Sequence, residues 1–255
     1  MMQYLVILLD DTSVSYCHCD NPYTERRLIP MEVLREGILY AMKQNLMIQF
    51  VYPDYDLPQE YLEAIDSIDH HDIVPAPREG DVQVLSSHSP AHVDGVCVLR
   101  LSKEELFASE DRVSGLLRSV QRLNVVITDV EHFCDADLPT YSDLLGKWAA
   151  VLKEEYLAGR MPQLNLLTDR MMLTKRNHCN AGVENVTLAP NGHFYLCPAF
   201  YFADPDSSID PQRHQESPVA ASGPCATLSP LRCVALPPLR VAQPKEHPRH
   251  QHTQP

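Results

Sequence analysis

Cys179 and Cys197 bracket a stretch that reads as a β-hairpin, and paired thiolates are the starting material of a metal centre. Val186-Thr187-Leu188 and His193-Phe194-Tyr195-Leu196 have strand-forming compositions, and Pro190-Asn191-Gly192 between them supplies turn residues. A hairpin returns its ends to one place, so Cys179 and Cys197 are expected to approach each other. Two thiolates can begin an iron–sulfur or a zinc site, although each needs about four ligands. A second pair, Cys17-His18-Cys19, follows the first strand of the chain. Cys97, inside Val96-Cys97-Val98-Leu99, is expected to be a buried core thiol.

Other polar groups carry a plain reading beside a chemical one. Asp10-Asp11 could hold a metal or a substrate amine, or cap the segment that follows. Asp129, Glu131, His132, Cys134 and Asp135 form the densest polar cluster at a strand end. Strand alternation there puts Asp129, Glu131 and Phe133 on one side and His132 and Cys134 on the other. His70-His71 reads as the close of a helix, where a cationic imidazole interacts favourably with the helix dipole. Glu25-Arg26-Arg27 is a surface charge run whose arginines could bind a carboxylate or a peptide terminus. His247, His250 and His252 sit in a segment without an evident scaffold.

The elements that must position these groups come in alternation. Tyr4–Leu9 is a continuous apolar strand. Pro30 opens a helix with Met31, Leu34, Ile38 and Met42 at helical spacing, ended by Asn45. Leu46–Tyr52 is the next strand. Pro58 opens a helix with Leu62, Ile65 and Ile68 on one face. Asp72–Val74, Val82–Leu85 and Val96–Leu101 follow as strands, with no room for a helix between the first two. Ser102-Lys103-Glu104-Glu105 is a capping box announcing a helix towards Gln121. Asn124–Thr128 is a strand, and Asp137-Leu138-Pro139 opens the longest helix, with Tyr141, Leu145, Trp148 and Leu152 inward and Gly159 as its left-handed end. Leu164–Leu167 is one more strand.

This order predicts an α/β fold with mostly parallel strands, either a partial (β/α) barrel or an open doubly wound sheet. Both gather ligands at the C-terminal ends of the strands, which places Asp10, Asp11, Pro53, Asp54, Asp129, Glu131 and His132 near one rim.

Composition narrows the function classes. The net charge of −13 over 255 residues, without a clustered basic face, argues against nucleic acid as a partner. The six-residue apolar run at the start is too short for a membrane span and lacks a signal-peptide pattern, so a cytoplasmic protein is expected, with no membrane partner. Eight cysteines then point to metal or reactive roles more than to a disulfide framework. Residues 204–255 hold ten of the 21 prolines, no Phe, Trp or Tyr, and balanced charge, so a disordered Pro-rich tail is expected there.

Cys179, twelve residues, Gly192, four residues and Cys197 resembles the opening of the SPASM domain, the auxiliary-cluster module of radical SAM peptide-modifying enzymes. Asn180-Ala181-Gly182 and Cys197-Pro198 look like that family too. The text Tyr4-Leu5-Val6-Ile7-Leu8-Leu9-Asp10-Asp11-Thr12-Ser13-Val14-Ser15-Tyr16-Cys17, with Glu25-Arg26-Arg27-Leu28-Ile29-Pro30, resembles the CXXX repeat peptide maturases, and the likeness covers residues 2–203. It implies a radical SAM-like α/β domain over 1–170, an incomplete SPASM-like hairpin over 171–203 and the tail over 204–255. It also implies maturation of a ribosomally made Cys-rich precursor peptide, with Cys179 and Cys197 as ligands of an auxiliary [4Fe–4S] cluster.

Two departures qualify what the resemblance implies. The three-cysteine CxxxCxxC motif of the catalytic cluster has no counterpart; the corresponding loop holds only Cys17 and Cys19, the remaining candidate ligands. Reductive cleavage of S-adenosylmethionine by this chain is therefore not expected. After Cys197 only Cys225 and Cys233 follow, where a dense cysteine cluster belongs, which suggests a truncated or frameshifted terminus. The alternatives are a non-catalytic peptide-binding partner of a separate radical SAM enzyme, or a structural zinc hairpin.

Overall fold

A computed structural model describes residues 2–89, 94–169 and 181–211. The strands are β1 (Tyr4–Leu8), β2 (Met47–Val51), β3 (His70–Pro75), β4 (Val82–Leu85), β5 (Val96–Leu101), β6 (Arg122–Ile127), β7 (Gln163–Leu164), β8 (Asn185–Leu188) and β9 (Phe194–Tyr195). The helices are α1 (Met31–Gln44), α2 (Gln59–Asp66), α3 (Lys103–Phe107), α4 (Glu110–Leu117), α5 (Leu138–Leu157) and α6 (Pro198–Ala203).

The strands form one sheet in the order β7-β6-β5-β4-β3-β2-β1-β8-β9. Among the described strands, β8 and β9 alone pair antiparallel, with Thr187 opposite Tyr195 and Leu188 opposite Phe194. β1 to β7 lie side by side in chain order, so each crossover steps the same way. After β7 the chain returns to β8 at the free edge of β1, and α1 to α5 all pack on one face of the sheet. This is the layering of a partial (β/α) barrel and not of a doubly wound sheet with helices on both faces. Side-chain alternation then sorts the core into two faces. Leu5, Ile7 and Leu9 pack with Leu34, Ile38 and Ala41 of α1 and with Ile65 of α2. Cys97, Leu99, Leu101, Leu123 and Val125 pack with α3, α4 and α5 around the fully buried Trp148. Val6, Leu8, Val51, Ile73, Val84, Val98 and Val126 make up the other, inner face. That face is covered by Phe200, Tyr201 and Phe202 of α6, with Tyr16 and Tyr23 from the β1 loop.

Several local expectations are corrected. The buried stripe of α1 is Leu34, Gly37, Ile38 and Ala41, whereas Met42 is exposed. Successive steps of four drift off a 3.6-residue period, and the small residues carry the close approach. A Cβ on Gly37 would collide with Leu188 Cδ2, so α1 lies directly against β8. The helix expected to run to Gln121 ends at Leu117 and breaks between α3 and α4, where Ser109 Oγ donates back to Leu106 O at 2.7 Å. Its capping box forms as expected at Ser102 and Glu105. His70-His71 opens β3 instead of closing a helix.

The strand expected at Leu164–Leu167 stops after Leu164 and becomes a π-helical turn, Asn165–Asp169. Asn165 causes the change. Its Oδ1 accepts from Val125 N–H and its Nδ2 donates to Val125 O, both at 2.9 Å, so a side-chain amide takes the place of the next backbone pair. The missing helix between β3 and β4 follows from register: Val82 pairs with Ile73, only two residues before β3 ends, so a short turn spans the return.

β8 pairs with β1, so the hairpin belongs to the main sheet. Residues 204–211, assigned to the tail by composition, are largely exposed but tethered to the hairpin. Ile209 N–H donates to Phe194 O at 2.7 Å and Tyr195 Oη to Pro205 O at 2.6 Å. The remainder of the tail, with Cys225, Cys233 and its histidines, lies outside the described residues. Among those described, no helix is long and apolar enough to cross a membrane.

Candidate functional site

The β1 loop, residues 9–30, covers the C-terminal strand ends and is built around two buried carboxylates. Asp10 is 0 % exposed and Asp11 6 %. A buried carboxylate is tolerable only when its oxygens are hydrogen-bonded. Asp10 Oδ1 accepts from Thr12 N–H at 2.8 Å and Thr12 Oγ1 at 2.6 Å, while Oδ2 accepts from Tyr55 Oη at 2.9 Å. Asp11 takes a forked pair from Arg27, Nε at 2.7 Å and Nη2 at 3.3 Å, and the Tyr201 hydroxyl at 2.5 Å. Asn21 Nδ2 ties the loop to itself by donating to Asp11 O and Ser13 O. Of the two readings of Asp10-Asp11, Asp10 carries the capping one by accepting Thr12 N–H, and Asp11 forms a structural junction.

Tyr201 makes that junction long-range. It comes from α6, is fully buried, and receives Arg27 Nη2 at 3.1 Å on the oxygen that donates to Asp11. Its ring stacks on Tyr23 with centroids 5.2 Å apart and lies 5.2 Å from Tyr195. Burial raises the Tyr201 hydroxyl above the usual tyrosine range, with the Asp11 bond adding to it. The Asp11 hydrogen bond likewise raises Arg27, so the guanidinium stays charged.

Cys17 and Cys19 lie at the far end of the same loop, both partly exposed. Ser15 Oγ donates to Cys19 O at 2.5 Å and lies 3.6 Å from Cys17 Sγ, which is itself 4.0 Å from Cys19 O. Arg100, on the inner side of β5, clamps this turn. Its Nε donates to Cys17 O at 2.9 Å, and its Nη2 to Cys19 O at 3.2 Å and Asp20 Oδ1 at 2.6 Å. Cys197 stands at the N-cap of α6 and packs, with Tyr16, on the inner-face cluster. Cys179 lies outside the described residues. Among those described, no group of three or more His, Cys, Asp or Glu side chains is gathered as for a metal ion.

The cluster after β6 does other work. Two short 3-10 turns, Val130–His132 and Asp135–Asp137, replace the expected strand alternation. Asp129 Oδ1 accepts the first amide of α3, Lys103 N–H, at 2.6 Å. Asp137 Oδ2 accepts from Cys134 N–H at 2.9 Å and from Cys134 Sγ at 3.3 Å, beside Lys103 Nζ at 3.2 Å. These are caps and surface pairs. Arg26 lies 4.1 Å over the Tyr55 ring, and Asp54 is exposed. His70 Nε2 lies 3.4 Å from Asp72 Oδ1, and this carboxylate raises the imidazole to about 9, so its positive charge is favoured by a side-chain partner and not by a helix end. Burial pushes the Cys97 thiol up to about 12, in keeping with a core thiol.

Sequence reasoning missed Tyr55, Arg100 and Tyr201. Arg100 had a signal, being a lone charge within the apolar strand Val96–Leu101. Tyr55 and Tyr201 had none, because an aromatic residue near a strand end or in a short apolar helix reads as packing. A cavity of about 530 Å³ opens at the opposite, N-terminal ends of β5 to β7, lined by Val96, Arg122, Arg160, Met161 and Gln163 among others. Arg122 and Arg160 are paired with Asp169 and Glu155, so it has no net cationic character.

No family model matches the chain, and no curated protein matches it. Solved structures similar in shape include two of one protein. Streptococcus suis SuiB bound to precursor peptide SuiA is 11 % identical at a TM-score of 0.46, with 80 % of this chain and 61 % of that one covered. SuiB bound to S-adenosylmethionine is 12 % identical at a TM-score of 0.47, with 91 % of this chain and 72 % of that one covered. The chain thus spans 61 % of the first of these, and at such scores no residue role passes from SuiB to this protein.

Proposed function

We propose that the chain takes part in the maturation of a small, ribosomally made Cys-rich peptide, and that its part is to hold this peptide at the C-terminal rim of the partial barrel. The observation that carries the reading is the Tyr201–Asp11–Arg27 junction, which joins the β1 loop to α6 across 190 positions of sequence. Through it the loop bearing Cys17 and Cys19 and the helix capped by Cys197 border one inner-face cluster. A rim that carries thiols on two converging segments suits a substrate that carries thiols. The sequence resemblance to CXXX repeat maturases supports the same reading.

The residues do not fit the catalytic cluster that radical SAM chemistry requires. Three thiolates must converge on three irons, whereas the β1 loop offers two, one residue apart, with both backbone carbonyls held by Arg100. No step is therefore routed through S-adenosylmethionine. This favours the role of a peptide-binding partner that presents substrate to a separate radical SAM enzyme. An auxiliary [4Fe–4S] site on Cys179 and Cys197 is part of the proposal, with two further ligands needed. Such a site would carry electrons or position substrate.

The test is anaerobic purification with iron reconstitution, iron and sulfide analysis and an absorption spectrum, beside calorimetric binding of a synthetic Cys-repeat peptide. The expected result is peptide binding, with iron lost in Cys179→Ala and Cys197→Ala. Iron content unchanged in both variants removes the auxiliary site. Absence of peptide binding removes the function.

A further inference from the structure

We propose that Cys17 and Cys19 form a redox-active dithiol that exchanges with a disulfide of its partner and closes to an internal disulfide. The identity of the partner, a cysteine-bearing peptide, rests on the function proposed above; the chemistry of the pair does not.

Three observations carry it. The chain bends at each of Cys17, His18 and Cys19 and does not run extended, and Cys17 Sγ lies 4.0 Å from Cys19 O. The two thiols therefore hang from one tight turn. Both are partly exposed, as exchange requires, in contrast to Cys97, which is buried in the helix-side core. The turn is held from outside itself: Arg100 donates to both cysteine carbonyls and to Asp20, and Ser15 Oγ ties Cys19 O to the Cys17 side of the turn. An anchored turn keeps the second thiol beside the first and so favours intramolecular closure over release of a mixed disulfide. Closing so short a loop strains the bond, and a strained disulfide is readily reduced. The pair is thus suited to cycling and not to cross-linking the fold.

The exchange balances in two steps. One thiolate of the pair attacks a disulfide of the partner; that S–S bond breaks, a mixed disulfide forms, and one partner sulfur leaves as a thiolate. The other thiolate of the pair then attacks the mixed disulfide, forming the Cys17–Cys19 bond and releasing the second partner sulfur. The pair is oxidised by two electrons, the partner disulfide is reduced to two thiols, and the protons of the pair pass to the released sulfurs.

The test uses the full chain in a series of reduced and oxidised glutathione mixtures, quenched with acid, alkylated and read by mass spectrometry of the segment spanning residues 17–19. The expected product is a linked Cys17–Cys19 form without attached glutathione, while the exposed Cys134 takes up glutathione as a single thiol does. In Cys19→Ser, the Cys17–glutathione adduct should accumulate at least about tenfold over the parent, because the resolving thiol is gone. Arg100→Gln, with folding checked by circular dichroism, should lower the ratio of linked form to adduct about tenfold. Glutathione persisting on Cys17 or Cys19 in the parent chain, or both thiols staying reduced across the series, overturns the proposal. So does protection of both thiols by reconstituted iron or zinc. A dithiol that closes normally in a chain that binds no Cys-repeat peptide overturns the function above and leaves the redox pair standing.

Discussion

The loops after β1 and after β6 are both rich in Asp and Cys at strand C-termini, yet they solve different problems. After β1, Asp10 and Asp11 are buried, and their partners Tyr55, Arg27 and Tyr201 come from 16 to 190 residues away. After β6, Cys134 pairs with Asp137 three residues on, and Asp129 caps α3 while staying partly solvated. Carboxylates of one type thus become a buried junction or a partly solvated cap according to what else reaches them. Burial raises the stakes, because a partner lost from a desolvated charge is not replaced by water.

The largest effect that tests this contrast is Asp11→Ala. It strips the Tyr201 hydroxyl of its acceptor and Arg27 of its ion pair, and should lower unfolding stability by about 3 kcal/mol in urea titration. Because the Arg27 side chain is itself 57 % exposed, most of that loss should come from the buried Tyr201 contact, and adding Tyr201→Phe should cost little more. Additive losses from the two changes would break the picture of one junction. Asp129→Ala removes the cap to Lys103 N–H and a solvent-exposed contact with His132, and should cost about 1 kcal/mol by the same titration. A loss as large as that of Asp11→Ala would erase the distinction between the two loops.

The smallest effect is in pH. His70 has a folded value of about 9 against an ordinary 6.5, because Asp72 holds the cation. A raised value means that the stabilisation is fully present below about 6.5 and is lost as pH rises through about 9. His70→Asn should therefore lower Tm relative to the parent chain at neutral and mildly acidic pH, with the gap closing in alkali. A gap constant across that range would show that His70 acts by packing against Phe50, 5.3 Å away, and not by charge.

The same contrast explains how much could be read in advance. The capping box at Ser102 formed because its two hydrogen bonds lie within three residues. Pro30 and Pro58 precede helices, and Asn45 ends one at φ 53°, for equally local reasons. The strand at Leu164–Leu167 failed because Asn165 answers to Val125, 40 residues away. His70-His71 opens a strand and does not close a helix because the chain leaves α2 at Ser67 and enters β3 within three residues, with no Gly or Pro to mark the break.

By itself, then, the sequence determined the α/β alternation, the apolar strands, most helix starts and the buried thiol of Cys97. Each of these is set by neighbours within one or two turns of chain or by a plain run of apolar side chains. The tertiary structure alone decided that α1 to α5 share one face of the sheet, that Asp10 and Asp11 are buried, and that the β1 loop meets α6. Those depend on contacts between residues remote in sequence. Hydrogen bonds such as Tyr201 to Asp11 join residues 190 positions apart, and no local pattern encodes which partner will arrive.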